Sequence, residues 1–185
     1  MRQCTLATLL GRVAFAWGIA GVLLLLGQAL LRLIPLAWGA VTSDLSTLQW
    51  AVLAVWVVVM AHAEGYRGFH LRFSPRVVAR ALWLADNARP GLAVAAPVFC
   101  MSLFGASKKG MLVSRLLVVG IFGLVMAVRT LPQPWRGIID AGVVAGLGIG
   151  TASILWHVAR ALGGTPPPMP PDLPDPADQS AASNP

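Results

Sequence analysis

Five apolar runs separated by short polar stretches organise the chain. The first, residues 13–31, holds Gln28 as its one strongly polar member, and at 1.5 Å per residue it covers a hydrocarbon core of about 30 Å. Arg2 and Arg12 precede it and Arg32 follows. A cleavable leader has an apolar region of about 7–15 residues and small residues at the cleavage point. Here the run is longer and its nearest candidate end, Trp38-Gly39-Ala40, carries a Trp, so the expectation is a retained helix behind a cytoplasmic tail of residues 1–12.

The second run, 48–63, has Asp44 and Ser46 as candidate N-caps and Trp50 near its edge. It stops at His62-Ala63-Glu64, and the most basic stretch of the chain follows. Within that stretch Ser74-Pro75 reads as a helix start, and residues 75–87 as a short amphipathic helix. Val77, Val78, Ala81, Leu82 and Ala85 make its apolar face, opposite Arg76, Arg80 and Asn87. The expectation is a cytoplasmic interfacial helix, with Arg67, Arg72, Arg76 and Arg80 on anionic lipid headgroups. A helix packed on the ends of the spans would need the same pattern.

The third run, 91–106, contains Pro97 and reaches only about 24 Å, so the pattern leaves open whether it crosses or dips in and returns. The fourth, 111–131, ends at Pro132-Gln133-Pro134, and the last, 138–162, ends at Gly163-Gly164. Residues 163–185, rich in Pro, Asp, Ala and Ser, read as a disordered tail.

Composition bears out lipid as the solvent for this pattern. Of 185 residues 57% are hydrophobic and 11% charged, with a mean hydropathy of +0.73, too apolar for an ordinary soluble domain. Fourteen Lys and Arg oppose seven Asp and Glu. The arginines sit between apolar runs rather than on a soluble basic face, which argues against nucleic-acid binding. Under the positive-inside rule, a re-entrant third segment places eleven basic residues inside and three outside, and a crossing one places nine and five. The fold expected is an all-α integral membrane bundle of four to five transmembrane helices plus the cytoplasmic amphipathic helix, in the cell (inner or plasma) membrane with its N-terminus inside.

Between helices in lipid, close contact comes from small residues. Gly142, Gly146 and Gly150 recur every fourth residue in the last run, followed by Ser153. Such a stripe suits tight packing, more readily against a helix of the same chain than against a partner. Cys4 and Cys100 make no disulfide framework, and no Cys/His spacing suggests zinc.

One polar group of residues stands out: His62, Glu64, Tyr66, Arg67 and His70 at the mouth of the second span. His62 or His70 as base, Glu64 as acid, and arginines clamping a phosphate would suit chemistry on a lipid or isoprenoid headgroup. A helix ending at an interface would also be polar there. His62 and His157 are the pair available for bis-His haem ligation. Asp140 lies inside the last span, with Arg136 one turn before it and Arg129 across the turn. GxSxG, P-loop and HExxH motifs are absent. The leading expectation is therefore a non-enzymatic accessory, scaffold or lipid-contacting subunit with no metal or other cofactor. Its partners would be the bilayer and a membrane protein or further copies of itself, and not nucleic acid. The alternatives are a headgroup enzyme and a small haem or quinone redox subunit.

Overall fold

The computed structural model describes residues 9–174, and every regular element among them is helical. Helix α1 runs Leu9–Val41, about 50 Å at the standard rise, starting inside the expected tail and continuing ten residues past the expected end. Arg32 does not stop it, because Leu33, Ile34, Leu36 and Ala37 carry the apolar pattern onward. Pro35 removes one N–H without ending the helix.

Ser46 caps α2, Thr47–Met60. Its Oγ accepts from the Gln49 N–H, and Gln49 Oε1 accepts from the Ser46 N–H at 2.9 Å, a reciprocal capping box. The helix does not stop at Glu64. A π-helical stretch, Ala61–Phe73, joins α2 to α3, Ser74–Asp86, so 40 residues from Thr47 to Asp86 are continuous. The expected loop and fresh start at Ser74-Pro75 are corrected accordingly. Glu and Arg are good helix formers, so polarity after His62 marks a change of environment rather than a break.

Two five-residue helices follow, α4 (Pro90–Val94) and α5 (Ala96–Cys100). Pro97 sits in the first turn of α5, where its missing N–H costs nothing. Neither piece approaches a span's length. Helices α6 (Lys108–Arg129) and α7 (Trp135–Leu162) complete the chain, and four helices (α1, the helix from Thr47, α6 and α7) are long and apolar enough to cross a membrane.

The chain forms two compact units. The first takes residues up to Val22, Arg76–Gly120 and those from Arg160, and the second takes Leu23–Pro75 and Ile121–Ala159. In the first, Ala14, Leu84, Ala93, Ala96 and Phe99 form a buried cluster, bordered by Trp83, Leu92, Phe104 and Leu173. Trp17 Nε1 donates to the Val94 carbonyl.

Arg80 is the principal departure from expectation, being 0% exposed rather than spread on headgroups. Residues 77, 80, 81 and 84 share a helical face, and Val77, Ala81 and Leu84 on that face are buried. Charge alone suggested that Arg80 pointed outward. All five of its N–H donors meet backbone carbonyls. Nε donates to Phe99 at 2.7 Å, one terminal nitrogen to Pro171 and Asp172 at 2.8 and 3.0 Å, and the other to Phe104 and Gly105 at 2.9 Å each. The guanidinium carbon stands 4.0 Å from the centre of the Phe99 ring. Ser102 and Gly105 adopt left-handed φ of 60° and 59°, bending the loop after α5 around the cation. A side chain at 105 would press on the Phe99 ring.

Residues 165–174 have no helix, yet Pro171 and Asp172 are tied to Arg80, and Leu173 borders the buried cluster. This part of the expected disordered tail is therefore anchored. Cys4 and residues 175–185 lie outside the described residues.

Arg80→Met should destabilise the fold by at least about 3 kcal/mol, since several buried carbonyls lose their donors at about 1–3 kcal/mol each. Arg80→Lys should recover part of the loss, an ammonium having three donors in place of five. Thermal unfolding in detergent checks the order of the three midpoints, and coincident midpoints would contradict the carbonyl cage.

Candidate functional site

In the second unit the polar residues after α2 line up along the π-helical stretch. His62, Tyr66 and His70, spaced four apart, stack ring on ring with centroids 5.9 and 5.6 Å apart. The His157 ring of α7 continues the ladder 5.3 Å from His70. His70 Nδ1 and Ser153 Oγ are hydrogen-bonded at 2.9 Å. His157 Nε2 lies 3.2 Å from the His70 carbonyl, and a carbonyl can only accept, so this nitrogen carries the proton. A π-helical run of this length is unusual, such geometry commonly occurring as single turns at functional sites.

The partner helix approaches closely because its facing positions lack side chains. A Cβ at Gly142 would overlap the Trp56 indole and stand 2.9 Å from Met60 Cγ. One at Gly146 would stand 3.3 Å from Glu64 Cβ, and one at Gly150 would stand 2.6 Å from Phe69 Cγ. Gly65 on the opposite backbone is matched to Ile149. Trp56 Nε1 donates to the Ile139 carbonyl at 3.2 Å, so the interface carries cross-helix hydrogen bonds at both Trp56 and His70.

This packing separates residues that are neighbours in the sequence. Glu64 lies beside Gly146, while His70 turns to Ser153 and His157, so no single acid–base cluster of His62, Glu64 and His70 is formed. Ser153 and His70 make a hydroxyl–imidazole pair of the type used for nucleophile activation, but Ser153 is only 4% exposed. The pair His62 and His157 is not assembled as two axial ligands, because Tyr66 and His70 stand between them in the ladder. Among the described residues no group of three or more His, Cys, Asp or Glu is placed to hold a metal ion.

Arg67 and Arg72 are exposed and Arg76 is half-buried. Asp140 is buried with Arg136 as its neighbour, Nε to Oδ2 at 3.8 Å, too long for a hydrogen bond. Ser153 entered the sequence reading only as an extension of the glycine stripe. Its four-residue spacing from His157 puts both on one helical face, which is the signal that could have marked it.

Compared with family models, with curated proteins and with solved structures, the chain has no match.

Gly150→Val should cost about 1–3 kcal/mol by overpacking against Phe69. Gly148→Ala, with open space around it, should change stability by no more than about 0.5 kcal/mol or raise it slightly. Chemical unfolding in detergent distinguishes the two. A double-mutant cycle of His70→Ala with Ser153→Ala should give a coupling near 0.6 kcal/mol, the average for hydrogen bonds between membrane helices.

Proposed function

We propose that this chain is a four-span integral membrane protein acting as a non-enzymatic accessory or scaffold subunit that contacts lipid or a membrane partner. The observation that carries this reading is α6. Its side chains are exposed almost throughout, with Leu116, Val119, Ile121, Phe122 and Leu124 all at 49% or more. Such a helix is stable in hydrocarbon or against another apolar surface, and in water it would aggregate. Val55, Val58, Leu155 and Trp156 on α2 and α7 extend the exposed apolar surface.

The topology proposed has α1, α2, α6 and α7 crossing, with the segment between α2 and α6 on the inner side. Eleven of the fourteen basic residues then lie inside, leaving Arg32, Arg129 and Arg136 outside, the bias that orients inner-membrane proteins. Of the four arginines expected on anionic headgroups, Arg67 and Arg72 are the exposed ones.

The polar ladder fits this role as interhelical glue. His70, Ser153 and His157 hydrogen-bond across the helix pair, and Trp56 does the same further along. A second reading, an enzyme acting on a lipid or isoprenoid headgroup, draws on the His70–Ser153 pair. It would require movement to open a buried hydroxyl.

Single-cysteine chains with Lys109→Cys or Thr165→Cys, labelled in intact and permeabilised cells, test the topology. Both should react with an impermeant maleimide only after permeabilisation, and labelling of either from outside overturns the arrangement. For the role itself, a chain carrying Ser153→Ala, which removes the hydroxyl of the His70–Ser153 pair, should assemble and function as the parent does. Loss of function with assembly intact would favour the enzyme.

A further inference from the structure

We propose that residues 165–174 form a reversible strap, and that the surface it occupies in the first unit is a docking site for an extended acidic–apolar peptide segment. The proposal does not depend on the membrane reading.

The strap has a hinge, an arm and an anchor. Helix α7 ends at Leu162, and Gly163-Gly164 follow, with Gly164 at φ +88°, a conformation glycine adopts without strain. Pro166, Pro167 and Pro168 then make a stiff arm, since consecutive prolines favour an extended backbone. The anchor is Pro171-Asp172-Leu173. Asp172 holds a left-handed φ of 49°, uncommon for a residue with a side chain and better tolerated by Asp than by most.

Three features of the surface match this anchor. One terminal nitrogen of Arg80 binds the two successive carbonyls of Pro171 and Asp172. The first turn of α6 receives Asp172 a second time. Ser107 N–H donates to the Asp172 carbonyl at 3.3 Å, Ser107 Oγ caps the Gly110 N–H at 3.1 Å, and the Asp172 carboxylate lies directly over Gly110. A carboxylate there faces the positive end of a 22-residue helix. Finally, Leu173 packs at the edge of the cluster formed with Trp83, Leu92 and Phe104.

Arg80 keeps three of its five donors occupied by Phe99, Phe104 and Gly105 when the strap is away. The remaining donors, the first turn of α6 and the apolar seat then form a site for two adjacent carbonyls, one carboxylate and one branched apolar side chain. The strap supplies these in cis, and the one occupant assigned to the vacated seat is the same segment of a second copy, which carries the identical carbonyls, carboxylate and leucine. A Cβ at Gly110 would meet the Asp172 carboxylate, the free end of a flexible side chain, and would turn it aside while leaving the strap's carbonyl hydrogen bonds in place.

The test uses the full chain in nanodiscs with Cys4→Ser, Cys100 being buried. Maleimide labelling of Met169→Cys, half-buried in the strap, is compared with Thr165→Cys in the exposed hinge. Met169→Cys should react at least tenfold more slowly. Adding Leu173→Asp, which removes the apolar seat contact from a segment outside any helix, should restore the hinge rate, and Gly110→Ala, which turns aside only the carboxylate, should raise the rate by less. Asp172→Asn should move it part of the way. A synthetic peptide of residues 165–174 should accelerate Met169→Cys labelling saturably, while the same peptide carrying Asp172→Lys should not. Equal rates at 165 and 169 in the parent, or no change with Leu173→Asp, would overturn the docked strap. Failure of the peptide to compete would overturn its reversibility.

Discussion

A guanidinium with no accessible surface must place five N–H donors, and the architecture of the first unit follows from how Arg80 does so. No side-chain acceptor is used. Carbonyls from the α5 terminus, the loop after it and the segment beyond α7 converge on one cation, and the Phe99 ring covers its face. A carbonyl cage suits a buried arginine better than one carboxylate would, because it satisfies every donor without adding a second charge to desolvate. It also explains why two five-residue helices and an irregular loop hold a fixed conformation. Elements too short to be stable alone are tied to a residue on a helix that is itself packed.

The second unit meets the same requirement differently. There glycines bring two backbones together, and the polar atoms drawn into the contact hydrogen-bond to one another. Trp56 donates to a carbonyl of α7, His157 donates to a carbonyl of the π-helical stretch, and His70 meets Ser153. Close approach and polar pairing reinforce each other, since short side chains at 142, 146 and 150 are what let these groups reach. Helix α6 makes little such contact, its apolar side chains being exposed almost throughout.

The four long apolar helices were legible because apolar runs of about twenty residues favour continuous helix over short, broken elements. Their ends were less so. Arg32 and Glu64 signal polarity, but neither breaks a helix, so α1 and the helix from Thr47 run on. The buried face of α3 was readable from Val77, Val78, Ala81 and Ala85, while Arg80 on that same face was misplaced. Its acceptors include carbonyls 91 and 92 residues away, and no local pattern announces a backbone acceptor. The ring ladder was half visible, in that His62, Tyr66 and His70 share a spacing. The partners that decide their chemistry, Ser153 and His157, come from a helix more than eighty residues distant. The segment after Gly164 was read from composition as unable to fold, which holds for a segment by itself and overlooks a waiting cation.

The claim on which this account turns is that Arg80, with residues 171 and 172 docked as they are in the resting fold, is a fully paired cation. Nitrogen-15 NMR of selectively arginine-labelled protein in nanodiscs reads this directly through the side-chain N–H signals. The account predicts that Arg80 gives separate, slowly exchanging signals for its four terminal protons and its Nε proton, because each is held on its own carbonyl. A single averaged, rapidly exchanging terminal signal, as from a guanidinium rotating in water, would contradict it.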